Sequence, residues 1–174
     1  MNRKILVPLA TLLAAGSIAV GSGATFSSTT GNTISAVTAG TLTQSNSKDG
    51  QAIFNLTNLK PGDVLNGSLT LTNTGTLPAI FSLTEVSSTN GFSASNLTLD
   101  IKDTTAGTTV FSGTFGALVD GAKNDLGTWA PGQAHVFTFT VKLSADATNA
   151  EQGKTASAVY SWSSVQDVAV TVNQ

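Results

Sequence analysis

Residues 55–78 read NLTNLKPGDVLNGSLTLTNTGTLP. Lys60-Pro61-Gly62-Asp63 separates two segments in which apolar and hydroxyl residues alternate. Pro61 presets φ for a turn, Gly62 tolerates φ > 0, and Asp63 can accept from nearby backbone amides. Beyond the turn, Leu65, Leu69 and Leu71 share one face at period two, with Gly67 between them. That pattern predicts a strand with one buried face. No nucleophile, metal-ligand set or phosphate loop accompanies it.

The same period recurs along the chain. Strands are expected at Thr41–Thr43, Gln51–Leu56, Val64–Thr72, Ala79–Val86, Leu97–Ile101 and Thr109–Phe115. Ala130-Pro131-Gly132-Gln133 is a second Pro-Gly turn, and Phe137, Phe139, Val141 and Leu143 follow it on one face. Ala156, Ala158, Tyr160 and Trp162 alternate next, and Val168, Val170 and Val172 close the chain. Ser87–Gly91, Asp120–Asp125 and Ser144–Lys154 read as loops. Short strands punctuated by turn residues predict an all-β protein, a sandwich or barrel. Each buried Leu, Val or Phe is worth about 1.5–3 kcal/mol.

The first residues read as a targeting segment. Arg3 and Lys4 precede an apolar run from Ile5 to Val20 that is interrupted by Pro8 and Gly16. A membrane-spanning helix needs about 20 apolar residues, and this run is shorter. Small residues at Ser22-Gly23-Ala24 place a signal-peptidase cut between Ala24 and Thr25. The expected organisation is therefore a signal peptide over 1–24, a flexible arm over 25–40 and a β-sandwich domain over 41–174. A domain of about 150 residues buries about 68–70% of its unfolded surface.

Composition narrows the partners. Arg3 and Lys4 leave with the leader, so six lysines face ten carboxylates. That acidic balance argues against nucleic acid and anionic lipid. Cysteine is absent, so the domain stands without disulfides. Outer strand faces carry Thr and Ser rather than the charges that commonly block edge pairing, which leaves strand addition between copies open.

Catalytic chemistry has little to draw on. His135 is the only histidine, and it reads as a surface or turn residue. A zinc protease needs several His or carboxylate ligands in a set spacing. Asp120 and Asp125 flank a Gly-containing loop that could offer oxygens to Ca²⁺, with a solvated loop as the plainer reading. Glu85 and Glu151 are the only glutamates and lie far apart in sequence. Tyr160 and Trp162 would form a sugar platform if exposed, or core if inward. No cofactor is expected.

Four places in order resemble the TasA–camelysin family of secreted bacterial proteins. They are Gly23-Ala24-Thr25-Phe26-Ser27 with Ala39-Gly40-Thr41-Leu42; Asn58-Leu59-Lys60-Pro61-Gly62-Asp63 with Leu71-Thr72-Asn73-Thr74-Gly75-Thr76-Leu77; Ala130-Pro131-Gly132-Gln133; and Asn149-Ala150-Glu151-Gln152-Gly153 with Tyr160-Ser161-Trp162 and Gln166. The resemblance implies a jelly-roll-like antiparallel β-sandwich, release by a specialised signal peptidase, and an extracellular or cell-surface place in the biofilm matrix. It implies self-association into fibres, alongside other matrix proteins, by insertion of an N-terminal donor strand. Here that strand would carry Phe26, Ile34 and Val37. No stable membrane insertion is expected after cleavage. Camelysin members also bear a metalloprotease label, so a surface protease and a carbohydrate-binding adhesion module stand as alternatives.

Overall fold

The computed structural model describes residues 39–53, 59–93 and 95–168. The expectations for the leader, the Ala24–Thr25 cut and the donor positions Phe26, Ile34 and Val37 fall outside them, as do Phe54–Leu56, Val170 and Val172.

Among the described residues, eight strands form two antiparallel sheets: β1 (Gln44–Asn46), β2 (Val64–Asn73), β3 (Ala79–Asn90), β4 (Leu97–Asp103), β5 (Thr108–Thr114), β6 (Lys123–Trp129), β7 (Ala134–Leu143) and β8 (Ala156–Gln166). One sheet runs β1-β2-β7-β4-β5 and the other β6-β3-β8. The protein is an all-β sandwich. Its core is the inward set the alternation singles out: Leu69 and Leu71, Phe81 and Leu83, Leu97, Leu99 and Ile101, and Phe137, Phe139, Val141 and Leu143.

Both Pro-Gly turns clamp the central β2·β7 pair, one at each end. At the first, Lys60 N donates to Asp63 Oδ2 at 2.8 Å and Asp63 N to Lys60 O at 2.9 Å. Gly62 sits at φ 90°, where a side chain would strain the turn. Gly62 N then reaches Leu143 O, the last residue of β7, at 3.0 Å. At the second, Gly132 N reaches Asn73 O, the last residue of β2, at 2.8 Å. Each turn thus closes its own chain reversal and fixes the register of the neighbouring strand.

Several sequence expectations are corrected. The first strand is Gln44–Asn46, not Thr41–Thr43. Thr41 and Thr43 instead spend their carbonyls on the 74–76 turn, accepting from Thr76 N, Thr74 N and Gly75 N. Gln51–Ile53 is not strand. Ser87–Asn90 continues β3 past a bulge between Glu85 and Ser87, because Ala156–Val159 of β8 keep pairing with it. Lys123–Asp125, read as loop, opens β6. Val168 is exposed and outside any strand.

The pairing identifies the architecture. A jelly roll is a long eight-stranded hairpin rolled into two sheets, so strands 1·8, 2·7, 3·6 and 4·5 remain partners. Here β2·β7, β3·β6 and β4·β5 all pair. Among the described residues the 1·8 partnership is missing: β1 pairs with β2, and β8 has β3 on one side only.

Candidate functional site

A cleft of about 770 Å³ lies between β1 with its following turn and the edge of β8 that no described strand pairs. Seven consecutive residues of β8, Ala156–Trp162, line it, a run of roughly 20 Å at strand spacing. Leu69 and Phe115 contribute apolar floor. Gln44 Nε2 bridges the cleft, donating to Trp162 O at 3.0 Å. A side chain thereby satisfies a carbonyl on the β8 edge that a strand partner would otherwise take. Gln44 Oε1 is buried there without a donor.

Tyr160 and Trp162 face inward along this wall. Trp162 packs on Phe137 with ring centroids 4.9 Å apart, and Tyr160 on Phe139 at 5.4 Å. They are half-buried and belong to the sandwich interior and the cleft, not to an outward sugar platform.

His135 is not the surface residue its turn position predicts. It is 5% exposed, lies on the inner face of β7, and stacks on Trp129 at 4.1 Å with the planes 2° apart. Trp129 stacks in turn on Phe81 at 4.1 Å. Both imidazole nitrogens are engaged. Nδ1 donates to Asp103 Oδ2 at 2.5 Å, and Nε2 accepts from Gln133 Nε2 at 2.9 Å. Asp103 Oδ1 also accepts from Thr105 N and Ala106 N, 2.9 Å each, and so caps the β4–β5 turn. The cluster ties three strand ends together and leaves no ring nitrogen for a nucleophile or a metal.

Glu85 and Glu151, the two glutamates, have separate environments. Glu151 sits in the β7–β8 connection and accepts from Ser93 N at 3.2 Å and Asn96 Nδ2 at 2.9 Å, with Lys154 Nζ at 3.2 Å. The hydrogen bonds from Ser93, then Asn96 and Lys154, hold its carboxyl down from 4.5 to about 2. A carboxyl depressed in the fold contributes stability above its unfolded value and loses it as pH falls through the folded one. Glu151→Gln is therefore expected to lower the melting temperature at pH 7. The gap from wild type should close between pH 4.5 and about 2, read by thermal melts across that range.

Glu85 is wholly buried on the inner face of β3, directly opposite Tyr160 in the β3·β8 register. Burial raises its pKa, with Asp120 adding like charge. The Ser88 and Tyr160 hydroxyls face the carboxylate and hold that rise back in part. Asp125 turns elsewhere and accepts from Gly127 N at 2.8 Å, so the structure joins Asp120 to Glu85 rather than to Asp125. Sequence reading missed this pairing because 35 positions separate the two residues. The signal within reach was a Glu at an inward strand position, in register with Phe81 and Leu83.

A family model described as camelysin metallo-endopeptidase matches residues 1–96. The chain belongs to this family. No curated protein matches the chain. The family's description implies a metal, and the donor set of this camelysin-family chain does not fit a catalytic zinc. Such a site takes three protein ligands, mostly His, and an open position. The chain has one histidine and no cysteine, and both nitrogens of that histidine are committed. Among the described residues no three His, Cys, Asp or Glu side chains converge.

Proposed function

We propose that this protein is a secreted structural subunit of the extracellular biofilm matrix and works by main-chain docking rather than catalysis. In this reading the leader is cut after Ala24. The arm over 25–40 then adds as a strand beside β8 of another copy and supplies the 1·8 partnership. Other matrix proteins are the further partners, and the cell surface or matrix is the location.

The observation that carries the reading is the β8 edge, unpaired among the described residues, with its cleft, in a jelly roll whose other three partnerships are complete. Strand addition draws affinity from backbone pairing and fit from alternate side chains. The edge offers both: seven residues of backbone, and an inner face built from Ala156, Ala158, Tyr160 and Trp162. Family membership supports it through the resemblance to fibre-forming relatives. The misfit to zinc chemistry weighs against the protease that the family's description names.

The test is imaging by electron microscopy of a chain beginning at Thr25 beside one beginning at Gly40. The first is expected to form filaments and the second to stay monomeric with its fold intact by circular dichroism. Filaments from both, or from neither, contradict docking by the arm.

A further inference from the structure

We infer, resting on the strand-docking reading, that Gln44 is the end stop of the cleft. Its amide fixes where a docked strand begins along β8, and so fixes the register of docking.

Trp162 O accepts from Gln44 across the cleft, so that carbonyl points away from β3. In an antiparallel ladder a residue turns its N–H and C=O to the same neighbour, and the next residue turns both the other way. Ala156, Ala158 and Tyr160 therefore turn theirs to the cleft as Trp162 does, while Ser157, Val159 and Ser161 serve β3. The bonds beyond the strand ends keep the same alternation. Thr155 O accepts from Gly91 N, and Asp167 N donates to Pro78 O, both partners flanking β3. Among the described residues no backbone group takes the other N–H and C=O groups of Ala156, Ala158, Tyr160 and Trp162 on the cleft side.

Gln44 fills the place opposite Trp162 that a strand residue would hold. Its Nε2 is spent on the carbonyl, and its Oε1 is a buried oxygen without a donor. A buried amide oxygen is costly until an N–H reaches it. A strand in the 1·8 place of a jelly roll runs antiparallel to β8 and so starts at the Trp162 end. The N–H of its first residue is the donor that Oε1 lacks. From that point the strand runs on past Tyr160 and Ala158 to Ala156. A strand shifted by two residues keeps its inward face but brings no N–H to Oε1 at its start, or has to drive Gln44 off Trp162 O.

The test compares registers. Chains beginning at Thr25 carry one cysteine each, at successive arm positions from 30 to 38. Each is oxidised against an Ala158→Cys chain in which Gln44 is kept or replaced by Ala or Met, with circular dichroism verifying the fold of all three. With Gln44 kept, one arm position is expected to give at least about tenfold more disulfide than the positions two residues either side of it, a preference that one buried hydrogen bond supports. In Gln44→Ala, and in Gln44→Met, which keeps the length without the amide, those neighbours should come within about threefold of it. A single preferred position retained by Gln44→Met, or by both variants, overturns the amide stop and leaves docking standing. So does a spread of positions already present with Gln44 kept. No disulfide at any arm position contradicts docking itself, and the stop falls with it.

Discussion

Asp103→Ala is expected to destabilise the sandwich by about 2–4 kcal/mol, the cost of leaving the buried His135 Nδ1–H without its acceptor together with the loss of the turn's hydrogen bonds. Out of a total of about 5–15 kcal/mol for a domain, that leaves the chain near its unfolding threshold. The size follows from what the carboxylate holds. Oδ2 takes the Nδ1 proton of His135, which is buried and stacked on Trp129. Oδ1 takes the amides of Thr105 and Ala106 and shapes the β4–β5 turn. Alanine strands the buried His135 donor, which cannot swing out to water because Trp129 lies flat on it, and leaves the exposed Thr105 and Ala106 amides to water. Asp103→Asn separates the two jobs. Its amide oxygen still caps the turn, and its amide nitrogen meets His135 once the imidazole proton moves to Nε2 and the Gln133 amide flips. That variant should lose only about 1–2 kcal/mol, near the worth of one rearranged hydrogen bond. Urea melts of both variants check the order; equal losses would show that the turn alone, and not the histidine, carries the effect.

How far the residues themselves disclose this arrangement varies by element. Where a strand has one buried face, alternation was enough: Leu97, Leu99 and Ile101, and Phe137 to Leu143, lie inward as their period requires. The Pro-Gly turns were equally plain, since Pro61, Gly62, Pro131 and Gly132 each have a backbone reason to be there. Strand β6 was hidden for the opposite reason. It is an edge strand with Trp129 as its only fully buried residue, and its Lys123 and Asp125 are the charges by which an edge resists pairing. The far end of β3 was hidden because Ser87–Asn90 is polar on both faces and owes its extension to β8.

The site was less legible. His135 looked like a turn residue because burial depends on Asp103, 32 positions away. Glu85 occupies an apolar slot, and only the fold reveals that Asp120 and Tyr160 meet it. The open β8 edge is a property of topology, so no local pattern could show it. What the sequence did display was the permissive condition, namely strands whose outer faces are hydroxyl-rich and nearly free of charge.

The most direct measurement asks whether the arm of one copy lies along β8 of another. The chain has no cysteine, so single cysteines placed in separate chains can only join two molecules. One chain beginning at Thr25 carries Phe26→Cys, Ile34→Cys or Val37→Cys; the other carries Ala158→Cys, on the inner face of the cleft. Neighbouring strands bring facing Cβ atoms to about 4.5–5.5 Å, close to the separation of about 3.5–4.5 Å that a disulfide spans. Mild oxidation is expected to join Ala158→Cys to at least one arm position in high yield. Val159→Cys, one residue along and pointing outward, should give little product with that same position. Absence of any arm–β8 disulfide, or equal yields from Ala158→Cys and Val159→Cys, would contradict strand docking in the cleft.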